Sequence, residues 1–333
     1  MPVAQRWSYL DHAAVAPLTA PAREAIRQWM DESTEQGITS AARWYRQAEV
    51  VRHSGARIIG ANEDEIALVH NTTTGISFVA EGYPWQEGDN VVTLENEFPS
   101  NLYPWLNLES RGVQTRMVAV DNGRVDLERL ADACDQRTRI VAVSWVGFSS
   151  GWRCDAAELA AMVHDQGALL FLDAIQGVGV FPLDVTAEGV DFLAADGHKW
   201  MLGPEGAGLL YIRRAHLDLI RATGVGWHSV VHEGEFDRIE LDLKPRASRF
   251  EGGTENVVGV LGLGASLELL ASYGTDNIGR RVLELTDFAV AQLTEAGATI
   301  ISSREGKHRS GIVSFTWPGD MAAMRRRLLG EGL

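Results

Sequence analysis

The chain carries only two cysteines in 333 residues, Cys134 and Cys154. A disulfide framework needs more of them and generally a shorter chain, so the expectation is two reduced thiols in a cytoplasmic protein. Positive charge is also in deficit: 30 Lys and Arg stand against 45 Asp and Glu, a formal net charge of −15. That sign repels a phosphate backbone and argues against nucleic acid as a partner. The N-terminus, MPVAQRWSYLDHAAVAP, has no apolar run behind a basic start and does not read as a signal peptide. Long hydrophobic runs are missing too. Val257–Ala271 is broken by Gly259, Gly262 and Gly264, and it is shorter than the roughly 20 residues of a membrane span, so no membrane partner is expected. Those three glycines lie inside a helix pattern rather than after a strand. No strand pattern is followed by a glycine fingerprint or a phosphate loop, which argues against a dinucleotide or nucleoside-triphosphate enzyme.

What remains is ordinary globular composition, 45% hydrophobic and 23% charged, in a chain long enough for one large and one small domain. Apolar runs at Glu65–His70, Asn90–Leu94, Thr115–Val120, Arg139–Val146 and Ala168–Asp173 read as strands covered on both faces. Helix patterns separate them, at Thr74–Gly82, Asn101–Arg111, Leu127–Cys134 and Ala156–Gln166. The alternation predicts an α/β fold: a three-layer α/β/α large domain on a mostly parallel sheet. After about Pro245 helix patterns dominate, at Asn256–Ser272 and Asp276–Ala296, followed by a strand at Gly311–Thr316 and a helix at Asp320–Leu329. The division expected is 15–245 as the large domain, with 1–14 and 246–333 as a smaller α+β domain. A helix from Pro21 to about Glu32 packs beside it.

Four segments carry chemistry. Asp196-Gly197-His198-Lys199-Trp200 follows a strand pattern, Asp191–Ala195, and precedes a Gly-rich turn. A lysine at a strand end faces the crest where ligands of such sheets bind. Partial burial lowers its pKa and makes the amine a nucleophile for a carbonyl; on its own, though, the segment reads as a surface lysine. Asp173 closes the apolar strand in FLDAIQ, where a carboxylate needs either a cationic partner or a capping role. A protonated ring nitrogen about 4 Å away is worth roughly 4 kcal/mol at an effective dielectric near 20. Gln176 follows three residues later, within reach of such a ring or free on a solvated helix. Asn71-Thr72-Thr73-Thr74-Gly75 opens a helix after a strand, which makes either an anion site or a simple cap. Glu97-Phe98-Pro99-Ser100-Asn101 also joins strand to helix, and Phe98 either stacks on an aromatic ligand or packs in the core.

Taken together, the phrases NTTTGI, NEFPSNLYPW, VGFSSGWRCD, FLDAIQGVG, AADGHKWMLGPEG and RFEGGTENVVGVLGLGASL resemble the class V aminotransferase family of fold-type I pyridoxal-phosphate enzymes, from about Asp11 to the last residue. The look is nearest to its cysteine desulfurase, selenocysteine lyase and isopenicillin N epimerase-like branch. The resemblance implies pyridoxal 5′-phosphate (PLP) held as a Schiff base on Lys199, which also serves as general base. It implies Asp173 on the pyridine nitrogen, Gln176 at the 3-hydroxyl, and Thr72, Thr73 and His198 on the phosphate. Phe98 takes the stacking position, where desulfurases usually have His. Thr254 would reach the phosphate of a neighbouring subunit, hence a homodimer with shared sites. The substrate implied is a small-molecule amino acid, and the reaction an amino transfer or a C–S or C–Se bond cleavage. Alternatives are epimerisation, or a non-catalytic PLP-binding protein if the chain truly ends at Leu333.

Three departures stand out. Trp145 occupies the place of an Asn beside the ring and Gly147 that of a polar residue, so a bulkier, less polar site is expected. No cysteine follows Cys154 to accept sulfur. The family continues past this point with a strand, a carboxylate-gripping arginine and a closing helix, so the sequence is expected to be C-terminally truncated. Arg43 and Arg249 are candidate stand-ins, more simply read as a solvated helix contact and a structural ion pair. His228 and His232 beside Glu233 have metal-ligand spacing, but in a loop, and no metal is expected.

Overall fold

The computed structural model describes residues 2–333. In chain order the elements are helices α1 (Ala20–Gln36) and α2 (Ala41–Ile59), strand β1 (Ile66–Val69), α3 (Thr72–Gly82), β2 (Asn90–Leu94) and a short α4 (Tyr103–Leu106). Then come β3 (Gln114–Val118), α5 (Leu127–Ala133), β4 (Thr138–Ser144), α6 (Ala156–Asp165), β5 (Leu169–Asp173), β6 (Phe192–Asp196) and β7 (Gly208–Ile212). The last third holds α7 (Val257–Tyr273), α8 (Thr275–Glu295), the short strands β8 (Thr299–Ile300) and β9 (Phe315–Thr316), and α9 (Met321–Gly330).

Seven strands form one sheet in the order β1-β7-β6-β5-β4-β2-β3. Strand β7 runs antiparallel to both its neighbours and every other pairing is parallel, so the mostly parallel sheet expected from the alternation is present. The apolar runs of β1, β2, β6 and β7 are buried throughout because helices cover both faces. β3, at the edge, has no fully buried residue. With β7 reversed, the carboxyl ends of β1, β2, β4, β5 and β6 all point the same way. The turns after them form one crest, where a ligand of such a sheet binds.

Helices α1 and α2 both pack on α7, whose Val260, Leu263 and Leu267 join the same buried cluster as the sheet residues Leu172 and Leu209. β8 and β9 pair in a separate two-stranded sheet.

Three expectations change. Helix α2, nineteen residues long, has no counterpart in the sequence reading. The segment Asn101–Arg111 is no single helix: Pro104 brings no N–H to a helix running through from Asn101, so the chain restarts at Tyr103 between two 3-10 turns. The strand expected at Gly311–Thr316 shrinks to Phe315–Thr316. Upstream, Ser310 is committed elsewhere, its hydroxyl donating to Gly151 O at 2.6 Å and accepting from Ile312 N at 3.2 Å.

Candidate active site

Strand β6 ends at Asp196, and the next residues turn sharply. Gly197 N donates to Ala207 O, Gly203 N to Gly197 O, and Leu202 N to Lys199 O, at 2.8, 2.8 and 3.0 Å. Ser266 on α7 ties the same turn through Leu202 O at 2.7 Å. Its backbone thus fixed, Lys199 extends a half-buried side chain into a cavity of about 600 Å³ at the crest. Burial pulls its pKa below the usual lysine value, while Asp173, Asp196 and Asp11 oppose the shift. Among the described residues the amine makes no ion pair.

Asp173, the last residue of β5, lines the same cavity and is almost completely buried. The one hydrogen bond to its carboxylate among the described residues comes from Ile175 N at 3.2 Å. Burial pushes the carboxyl up to about 6, against the pull of that N–H and of Lys199. A buried carboxylate held by so little is suited to a cationic partner from outside the chain.

A third wall comes from the start of α3. Asn71 Oδ1 accepts from Thr74 N at 2.8 Å, so Asn71 is the cap. The Thr72 hydroxyl accepts from Asp196 N at 3.0 Å and keeps its own proton to donate. That of Thr73 meets Ser100 at 2.8 Å. Gly75 makes this approach possible: a Cβ there would stand 2.8 Å from the Ala194 side chain on β6. His198 Nδ1 lies 3.0 Å from Asp196 Oδ2 but outside hydrogen-bond geometry, and both His198 Nδ1 and Asp196 Oδ1 are buried without a hydrogen bond.

The fourth wall is aromatic. Phe98 and Phe148 meet edge to face at 5.3 Å, and Lys199 Nζ stands 5.6 Å from the Phe98 ring centre. Gln176 lines the cavity with both ends of its amide engaged: Nε2 donates to Ala13 O at 3.0 Å and Oε1 accepts from Trp200 Nε1 at 2.8 Å. The N-terminal segment is thereby strapped along the cavity. His12 stacks on Trp200 and Ala16 N donates to His198 O at 2.8 Å.

Thus Thr72, Thr73, Phe98, Asp173, Gln176, His198 and Lys199 converge on one cavity, while Thr254 does not. It sits exposed on the Gly252–Glu255 turn, facing a separate depression with His70 and Thr74. Trp145 corrects the expectation of a bulky residue beside the ring. Its side chain points into the core, packed so tightly on Gly177 that a Cβ there would stand 2.2 Å from it. Alternation along β4 explains this, since the preceding Ser144 takes the other face. Arg43 pairs with Glu32 and Arg249 with Asp218, so neither reaches the cavity. Cys134 caps α5 and Cys154 is buried with its thiol pushed well above the usual range, chiefly by burial. No cluster of three metal-binding side chains occurs among the described residues. Sequence reading missed Phe148, Ser100, Asp11 and Glu97. Ser100 and Glu97 lie inside the phrase NEFPSNLYPW, and Glu97 stands three residues beyond β2, after Glu95, so no strand-end signal marked it as one marked Asp173.

The family model of the class-V aminotransferases matches residues 8–331. A probable cysteine desulfurase of Methanothermobacter thermautotrophicus is 36% identical over 292 residues, 86% of this chain and 72% of that one. A cysteine desulfurase of Escherichia coli is 30% identical over 318 residues, 92% and 77% of the two chains. Among solved structures, an apo cysteine desulfurase from Thermococcus onnurineus superimposes with a TM-score of 0.88 at 27% identity, covering 99% of this chain and 84% of that one. A cystine C–S lyase in complex with its reaction product, cysteine persulfide, does so at 0.93 and 25%, covering 100% and 90%. A lysine, an unpaired buried carboxylate and a threonine-lined helix start meet here on one sheet crest, and with nearly the whole length matched the chain belongs to the class-V aminotransferase family.

Proposed function

We propose that this chain cleaves the carbon–sulfur bond of a cysteine-like amino acid, with Lys199 as the lysine that holds PLP. The family makes it a PLP-dependent enzyme acting on an amino acid; the bond cleaved and the residue roles are the proposal. The observation that carries the reading is the pairing of absences in one cavity: Lys199 has no ion-pair partner among the described residues, and buried Asp173 has no cation.

The residues present fit the cofactor. Asp173 would hold the pyridine nitrogen, Gln176 would face the 3-hydroxyl with its second Nε2 proton, and Phe98 would cover the ring. Thr72, Thr73 and His198 would hold the phosphate at the start of α3, where free N–H groups favour an anion. Bound there, PLP supplies an electron sink for charge developing at the substrate α-carbon. The chain's own work is to move protons: the Lys199 amine, whose proton burial makes easier to lose, would take the α-proton. The aromatic walls and the strap Asp11–Ala14 limit water at that atom.

A homodimer is supported by Phe236, Ile239 and Leu241, exposed by 72, 90 and 74% on the loop that leads to the Thr254 turn. Thr254 would then act in the neighbouring subunit's site. The division into 15–245 and a smaller part of 1–14 and 246–333 puts α7 on the boundary. Among the described residues no single helix is long and apolar enough to cross a membrane. We place the enzyme in the cytoplasm, with no nucleic-acid or membrane partner.

The test is borohydride reduction of the PLP-loaded protein followed by peptide mass analysis, with two product sets measured on addition of cysteine: alanine together with sulfide released by an added thiol reductant, or pyruvate, ammonia and sulfide without one. Cofactor mass on the peptide containing Lys199, lost in Lys199→Ala, is expected. A wild-type protein that stays colourless and unlabelled overturns the reading.

A further inference from the structure

Glu97 lies just beyond the carboxyl end of β2, buried, and immediately precedes Phe98. Its Oε1 accepts from Ser144 N at 2.6 Å, and the Ser144 hydroxyl donates to Oε2. Ser144 is the last residue of β4 and stands opposite Asp173 in the parallel register. The next N–H, that of Trp145, donates to Asp173 O at 2.8 Å. One carboxyl therefore ties the backbone that carries Phe98 to the backbone that carries Asp173, through a single serine. Phe98 and Asp173 both line the cavity that holds Lys199.

A buried carboxyl is an expensive way to hold two strand ends together, since ionising it without a cation costs several kcal/mol. Among the described residues no lysine or arginine pairs with Glu97, and burial pushes it up to about 7. What a carboxyl offers that a shorter side chain does not is a two-oxygen fork. Here that fork satisfies both the N–H and the hydroxyl of one residue and allows the two strand ends no slack.

We propose that Glu97 is a positioning residue that sets the separation between the Phe98 ring and the Asp173 carboxylate, and so the slot that receives the planar cofactor ring. This rests on the cofactor reading given above. Glutamine at this position keeps an oxygen for Ser144 N and an NH₂ group for Ser144 Oγ, so the tie survives. Alanine leaves both Ser144 groups without their buried partner and frees the Phe98 turn.

The test uses pyridoxamine 5′-phosphate, whose amine cannot condense with Lys199, so that affinity reports the slot rather than the covalent link. Inorganic phosphate serves as a second probe, because it reads only the Thr72–Thr73 end. Expected for Glu97→Ala is a loss of about tenfold or more in pyridoxamine phosphate affinity, with phosphate affinity unchanged and the urea midpoint confirming a folded protein. Glu97→Gln is expected to bind within about threefold of wild type. Undiminished pyridoxamine phosphate binding by folded Glu97→Ala, or an equal loss of both probes, overturns the proposal while leaving the cofactor reading intact. A wild-type protein that takes up neither PLP nor pyridoxamine phosphate overturns that reading, and this proposal with it.

Discussion

Lys199 and Asp173 face one cavity at the ends of adjacent strands, yet they form no ion pair. Each moves the other's titration only through space: Asp173 raises the lysine against the larger effect of burial, and Lys199 lowers the aspartate against the same effect. The site therefore holds an amine whose proton burial makes easier to lose and, among the described residues, a carboxylate that lacks a cation. Such an arrangement is costly by itself and would become favourable if, as proposed, Asp173 receives a cationic ring nitrogen.

That cost has a sign in pH. Asp173 moves from 3.8 to about 6 on folding. A carboxyl raised in this way keeps its contribution to stability below about pH 4 and loses it as pH rises from about 4 to about 6; above that, the ionised group costs roughly 3 kcal/mol. Asp173→Asn removes the titration and keeps an oxygen for Ile175 N. The expected outcome is a cofactor-free variant more stable than wild type above pH 6, by up to roughly 3 kcal/mol in urea unfolding, with no advantage at pH 4. In the presence of PLP the order reverses, because only wild type gains an ion pair. Equal urea midpoints at pH 8 without cofactor would show that water already solvates the carboxylate.

Asp173 was legible in the sequence because it breaks a local rule, a charge at the end of a buried apolar strand; Lys199, three residues beyond β6, was legible only within the phrase AADGHKWMLGPEG. The parallel strands were legible for the complementary reason: residues covered on both faces read as continuous apolar runs. Helix α2 was not. Its buried face does keep a helical period in Trp44, Ala48, Val51 and Ile59, but Arg52, Ser54 and Gly55 share that face and interrupt the apolar signal. The reversal of β7 leaves no mark either, since an antiparallel strand covered on both faces carries the same apolar run, GLLYI, as a parallel one. Trp145 was misplaced because a residue's place in a phrase says nothing of strand parity, which sends it to the core while Ser144 turns towards Glu97.

Trp145 and Gly177 form a tight pair that stability measurements can read. Trp145→Ala removes a large buried ring, and about 3–5 kcal/mol of destabilisation is expected. Gly177→Ala forces a methyl group against that ring and is expected to cost about 1–3 kcal/mol. In the double variant the added methyl enters the space the ring vacated, so the combined loss is smaller than the sum. Strict additivity in a denaturant series would mean that the two do not touch in solution.

Arg52, only 2% exposed, donates to Ile66 O at 2.9 Å and to both oxygens of Glu251. Glu251 in turn accepts from Leu68 N at 2.7 Å, so α2, β1 and the segment before the Thr254 turn meet at one ion pair. Arg52→Met leaves a buried carboxylate without its cation, and about 3–5 kcal/mol of destabilisation is expected. The joint change Arg52→Met with Glu251→Gln is expected to recover part of that loss, because the charge is gone while an oxygen remains for Leu68 N. Thermal unfolding of the three variants decides the matter. A single variant as stable as wild type would remove the pair from the account of the fold.

Phe148 stands on the cavity wall next to Phe98, 39% exposed, with the two rings nearly perpendicular. If Phe98 covers the cofactor ring, Phe148 is placed to meet the side chain of the amino acid. Among the described residues that line the cavity, Lys199 and His198 are the only basic side chains, so an anionic side chain finds no arginine to receive it. A sulfur atom beside an aromatic edge gains about 0.3–1.5 kcal/mol. Phe148→Ala is therefore expected to lower kcat/KM for cysteine by about two- to tenfold and to leave cysteine sulfinate nearly unchanged, narrowing the preference between them. Phe148→Leu keeps apolar bulk without the ring, so it separates the two contributions. If Leu restores full discrimination, simple exclusion of charge by an apolar wall is at work; if Leu behaves like Ala, the ring edge itself recognises sulfur. Loss of both substrates in equal measure would instead place Phe148 among the residues that merely shape the Phe98 wall.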